Sequence, residues 1–184
     1  MTPSATIRLR ALDAAISLLA AGGVRALTHG RVDERAGLPK GSTSNYFRTR
    51  ASLVQAVMDR IVELETPRVG AGVLPRDVDG LVGTLTALFD ATTGPGRELT
   101  TARLVLFTEA VHDPEVRESV SRGRAALETI VVPAFAAAGA PNPELAAQTV
   151  MATMEGLILH RVVRGDPSDA TPVIDLVVRA ALDA

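Results

Sequence analysis

Cysteine is absent, and with it any disulfide framework, Cys-based zinc site or thiol nucleophile. Tryptophan is absent as well, tyrosine occurs once, and aromatic residues make up only 3% of the chain. A core must therefore come from small aliphatic side chains, and the 47% apolar content supplies them. Such a composition is not that of a disordered chain. No stretch alternates apolar and polar residues long enough to read as a strand. No internal repeat and no low-complexity segment is present. The longest uncharged run, Thr129 to Pro143, falls short of the ~18 residues a membrane span requires and is broken by prolines. There is no Gly-rich phosphate loop, no Ser nucleophile elbow and no His-Glu metal spacing. His29, His112 and His160 are too scattered to form a metal motif. No metal and no cofactor is expected.

The N-terminus places Arg8 and Arg10 before the apolar stretch Ala14 to Gly23, which faintly resembles a signal peptide. Asp13 and Ser17 interrupt it. Leu12, Ala15, Ile16 and Leu19 fall at i, i+3, i+4 and i+7, the one-sided stripe of an amphipathic helix. A soluble cytoplasmic protein is expected.

Charge is unevenly distributed. Residues 1–50 carry eight basic side chains (Arg8, Arg10, Arg25, Arg31, Arg35, Lys40, Arg48, Arg50) against three acids (Asp13, Asp33, Glu34), a net +5. The remainder carries −7. A basic head on an acidic body suits an anionic partner at one end.

Helical spacing runs through the whole chain, so the expected fold class is all-α. A first helix spans about Thr6 to Ala21 and stops at Gly22-Gly23. Thr28 is placed to cap a second helix that ends at Gly37. Pro39 is read as the start of a third, its φ already helical. A fourth runs from Thr49 to Glu65 and ends at Thr66-Pro67, with Leu53, Val54, Val57, Ile61 and Leu64 as its buried stripe. Residues 67–76 read as a boundary loop. Later helices follow Gly94-Pro95-Gly96, Asp113-Pro114 (with Pro133 inside), Asn142-Pro143 and Thr171-Pro172.

Two short helices around the tight turn at Gly37-Leu38-Pro39 have the layout of a helix-turn-helix, whose second helix enters the DNA major groove. On a helix starting near Pro39, the groove-facing residues are expected to be Lys40, Ser42, Thr43, Ser44, Asn45 and Tyr46. Asn45 and Lys40 are the base readers of choice, since Asn can bond adenine bidentately and Lys favours guanine. Tyr46 is assigned to a phosphate, or else to the domain's own core. Thr28 caps a helix N-terminus, which is also an anion site. Arg48 and Arg50 follow the recognition helix and are placed to clamp the backbone.

The segment Ala11 to Gly23, with Thr28, Val32, Ala36-Gly37-Leu38, Lys40-Gly41-Ser42, Phe47 and Ser52-Leu53-Val54, resembles the DNA-binding domain of the TetR family of transcriptional regulators. The resemblance covers roughly residues 6–60. It implies a helix-turn-helix domain over residues 1–50, a connecting helix at about 49–65, and a helical ligand-binding and dimerisation bundle over 66–184. It implies a homodimeric repressor on a palindromic operator in double-stranded DNA, released by an unknown small-molecule effector; the missing catalytic motifs argue against an enzyme. The chain departs from the family's pattern at Thr43, usually aliphatic, at Ser44, usually tyrosine, and at Asp33, commonly alanine.

In the bundle, polar groups among apolar walls are pocket candidates. Arg103, Phe107, Thr108, Met151, Met154 and Glu155 are assigned to ligand binding, with core packing or ion pairs as the alternative for each. The helix over 144–164 is apolar on most faces. Leu157, Leu159, His160 and Val163 are assigned to a dimer interface, with enclosure by neighbouring helices as the alternative. Two rival classes remain: a helical enzyme using a carboxylate pair across the bundle, and an interaction module without DNA binding.

Overall fold

The computed structural model describes residues 3–70, 75 and 77–183, and among these there is no strand. Nine helices are described: α1 (Pro3–Gly22), α2 (His29–Ala36), α3 (Ser42–Tyr46), α4 (Arg50–Gly70), α5 (Val78–Thr93), α6 (Arg97–Glu109), α7 (Pro114–Ala137), α8 (Pro143–Val163) and α9 (Thr171–Asp183). A single 3-10 turn, Val24–Ala26, follows α1.

Local chemistry sets most of these boundaries. Thr28 Oγ1 accepts the Arg31 amide at the start of α2, and Gly37 closes that helix with φ +60°. Thr49 and Ser52 exchange hydrogen bonds reciprocally at the start of α4. Asp77 caps α5 through the Gly80 amide at 2.8 Å. Asn142 caps α8 through Leu145, with Pro143 at the first helical position.

The first helix begins at Pro3, ahead of the expected Thr6, and two further boundaries differ from expectation for identifiable reasons. The third helix begins at Ser42 rather than Pro39. Gly41 adopts φ +89°, which no continuing α-helix accepts, so Pro39-Lys40-Gly41 form a turn before it. The fourth helix continues past Thr66-Pro67 to Gly70. A proline removes one ladder bond without obliging the helix to stop. The boundary loop expected over 67–76 thus begins as helix, and its residues 71–74 and 76 lie outside the described residues.

Packing divides the chain into two units. The first comprises Met1–Leu64 with Glu98–Gly123, and the second Glu65–Arg97 with Arg124–Ala184. The first core joins Leu12, Ala15, Ile16 and Leu19 of α1 to Val32, Phe47, and Leu53, Val57 and Ile61 of α4. Leu99, Ala102 and Leu106 of α6 bury into the same core, which is why this later segment belongs with the N-terminal helices. Gly123 of α7 lies against Met58 and Val62 of α4, where an added Cβ would come within 3.0 Å of both. The second core is built from Leu81 and Phe89 of α5, Phe135, Val150, Met154 and Ile158, and Ile174 and Val178 of α9.

Candidate nucleic-acid interface

The helix-turn-helix is held by contacts from α2. As a five-residue helix, α3 is too short to be stable alone. Its own cap, Gly41, has no side chain to offer. Asp33, one turn before the end of α2, supplies what is missing. Its carboxylate accepts the Gly41 amide at 2.7 Å, the Thr43 amide at 2.8 Å and the Thr43 hydroxyl at 2.5 Å. His29, four residues earlier on α2, donates through Nε2 to the Phe47 carbonyl at 2.6 Å, just past the other end of α3.

Asp33 is buried. Burial alone would push its carboxyl pKa up, but the hydrogen bonds from Thr43 and Gly41, with the charge of His29, outweigh it. The group is held below the ordinary carboxylate range. Its stabilisation is therefore fully present above the unfolded value near pH ~4 and is lost as pH falls through the lower folded value. In denaturant titrations from pH 7 down to pH 3, the Asp33→Asn variant should lose less stability on acidification than the parent. Parallel losses in the two proteins would contradict this linkage.

Rotation of α3 about its axis places Thr43 and Phe47, four residues apart, inward. Thr43 has no exposed surface, so its expected place in the groove is corrected: its hydroxyl serves the Asp33 carboxylate instead. Lys40, Ser44, Asn45 and Arg48 are exposed. Ser42 is half-buried and donates its hydroxyl to the Pro39 carbonyl at 2.6 Å. Tyr46 is half-buried, packs against the first core and lies 6.4 Å from the Phe47 ring. Thr28 is exposed at the N-terminus of α2. Arg50 is exposed but turned toward its own unit, donating to the Val24 carbonyl at 3.3 Å and lying 4.0 Å from Glu109. Arg8 sits 5.6 Å from the centre of the Phe47 ring. Arg10 donates to the Ala36 and Gly37 carbonyls at the end of α2.

Sequence reasoning assigned no role in the site to Asp33 or His29. The available signal was the pair of departures at Asp33 and Thr43, two polar residues at positions where apolar ones are usual.

The residues assigned to ligand binding do not fall in one unit. Arg103 and Phe107 belong to the first, where the buried guanidinium lies 5.2 Å from the ring centre. Thr108, beside them on α6, is exposed. Met151, Met154 and Glu155 belong to the second unit. Met154 is in its core, and Glu155 pairs with Arg124 at 3.1 Å. Of the residues assigned to a dimer interface, Leu159, His160 and Val163 are exposed, whereas Leu157 packs against its own core. Among the described residues no cluster of His, Asp or Glu could hold a metal ion. No described helix is long and apolar enough to cross a membrane.

Comparison with known proteins bears on this geometry. Residues 11–57 match the family model for bacterial regulatory proteins of the tetR family. Residues 76–184 match the model for the tetracyclin repressor-like C-terminal domain. Among solved structures, a TetR-family member from Streptomyces coelicolor A3 is similar with a TM-score of 0.77 at 23% identity, covering 96% of this chain and 98% of that one. Salmonella enterica GusR gives a TM-score of 0.82 at 18% identity, covering 100% and 99%. The multidrug binding protein EbrR, complexed with ethidium, gives 0.77 at 23%, covering 96% and 98%. A search of curated protein sequences found no match. Identities this low establish a shared fold, while the two matched models establish descent. The chain belongs to the TetR family of transcriptional regulators.

Proposed function

We propose that this protein binds a palindromic operator in double-stranded DNA as a homodimer, acts as a repressor, and is released by a small-molecule effector. The observation that carries the reading is the exposed face of the helix-turn-helix. Lys40, Ser44, Asn45 and Arg48 all reach solvent, and among the described residues no side-chain partner engages them. Two cations flank two amide- or hydroxyl-bearing side chains, which is the chemistry of phosphate anchoring beside base-edge readout.

Dimerisation is supported by α8 and α9. Leu145, Leu159 and Val163 on α8, with Val173 and Leu176 on α9, are between 42% and 70% exposed. On α8 these positions continue through Ala152 and Gly156 as one stripe at helical spacing. A second copy related by a two-fold axis would cover such a surface and also match a palindrome. The effector is inferred from the EbrR complex with ethidium and from the matched C-terminal family model.

The test is selection of duplexes from a random-sequence pool, followed by salt titration of binding. Selected half-sites about one helical turn apart and a steep salt dependence are expected. Recovery of no sequence would overturn the proposal. On the selected duplex, Asn45→Ala should relax preference at one base pair per half-site, by about 1–3 kcal/mol. Arg48→Ala should weaken binding to all sequences alike and lower the salt slope by about 1 per subunit. Equal, unselective losses for both variants would defeat that division of roles.

A further inference from the structure

We propose that Asp33 is a positioning residue for sequence discrimination: with Thr43 it sets how α3 presents Ser44 and Asn45 to base edges, without itself touching DNA. The inference rests on the DNA-binding reading above. It goes beyond that reading by assigning specificity to a buried contact.

The argument begins with what α3 cannot do unaided. Its first amides have no partner within the helix, and Gly41 contributes none. The Asp33 carboxylate takes the Gly41 and Thr43 amides, the Pro39 carbonyl takes that of Ser42, and the negative charge meets the positive end of the helix. Charge-assisted bonds of this kind are short and directional. A buried carboxylate left unbonded would be costly, so all three donors are held in place together.

The second point is geometric. Asp33 and His29 lie one turn apart on α2 and grip opposite ends of α3. Two points of attachment fix both the tilt of a short helix and its position along its axis. The hydroxyl of Thr43 fixes the remaining freedom, rotation about that axis, because Thr43 points inward while Ser44 and Asn45, the next two residues, point outward. Base-edge hydrogen bonds tolerate misplacement only on the order of 0.5 Å. Phosphate contacts by Lys40 and Arg48 are more forgiving, being long-range and carried by flexible side chains. A loosened α3 therefore loses selectivity before it loses affinity.

The experiment uses the full chain, a duplex selected by the parent protein and a scrambled duplex of equal composition. Thr43→Val keeps shape and removes the hydroxyl, Thr43→Ser keeps the hydroxyl, and Asp33→Asn removes the charge. Thermal unfolding is recorded for each. Thr43→Val and Asp33→Asn should bind the scrambled duplex within about twofold of the parent, with the same salt slope. Their preference for the selected duplex should fall about tenfold, the scale of one charge-assisted hydrogen bond. Thr43→Ser should keep the parent's preference. A folded Thr43→Val variant with undiminished preference overturns the inference, as does an equal loss on both duplexes. Should Asp33→Asn not fold, the Thr43 pair decides. A parent protein that selects no sequence at all removes the DNA-binding reading, and this inference with it; a selective parent with an equally selective Thr43→Val variant removes only the inference.

Discussion

Glutamate at both Leu159 and Leu176 is expected to leave the chain folded, monomeric and at least about a hundredfold weaker on its operator. Both side chains are exposed in the single chain, and neither belongs to the buried core, so the substitution opens no core cavity. In the proposed dimer they lie under the second copy, where an unpaired carboxylate costs several kcal/mol. That penalty, met twice per variant chain, is large against the affinity of an ordinary interface. Once the copies separate, each helix-turn-helix meets its half-site alone. The second half-site is then no longer held at the millimolar effective concentration that linkage provides. Sedimentation velocity would report the mass, circular dichroism the fold, and a binding titration the affinity. A parent protein that sediments as a monomer, or a variant that binds as tightly as the parent, would refute the arrangement.

Phe47→Ala is expected to destabilise the first unit by about 3–5 kcal/mol, a large share of the ~5–15 kcal/mol typical of a whole protein. Phe47 is 4% exposed and is one of only five aromatic residues in the chain. Apart from Met58, the buried core around it is built from Ala, Val, Leu and Ile, whose short side chains are poorly able to collapse into the space a phenyl ring leaves. The ring also lies beneath the Arg8 guanidinium, and its backbone carbonyl is the acceptor for His29. A slack position 47 thus disturbs the end of α3 as well as the core. Phe47→Leu keeps much of the volume and should cost less than about 1.5 kcal/mol while retaining DNA binding. Urea unfolding of the two variants would separate these outcomes, and an alanine variant as stable as the leucine one would contradict the packing argument.

The features readable in advance were those whose cause lies within a few residues. Thr28, Thr49, Asn142 and Gly37 cap helices by contacts spanning three or four positions, and each stands where the spacing predicts. The stripe Leu12, Ala15, Ile16, Leu19 is buried as its period requires. What escaped depends on distance along the chain or on the rotation of a very short helix. Thr43 reads as groove-facing because five residues define no clear face, and its partner Asp33 lies ten positions back. Pro39 reads as a helix start because the rule for proline is local; the positive φ of Gly41 two residues later displaces the start to Ser42. Burial of Leu99, Ala102 and Leu106 draws α6 into the N-terminal core, although α6 follows the segment read as the domain boundary. No periodicity within α6 announces which core its apolar side will join.

The poverty in aromatic side chains has an optical corollary. With no tryptophan and one tyrosine, ultraviolet-excited emission from the unlabelled protein arises essentially from Tyr46 alone. That ring sits on the recognition helix, half-buried against the first core. Its fluorescence is a native single-site gauge of order at that helix, whereas far-ultraviolet dichroism averages over every helix in the molecule. Comparing the two signals during unfolding would tell whether the reading head melts with the rest of the chain or ahead of it.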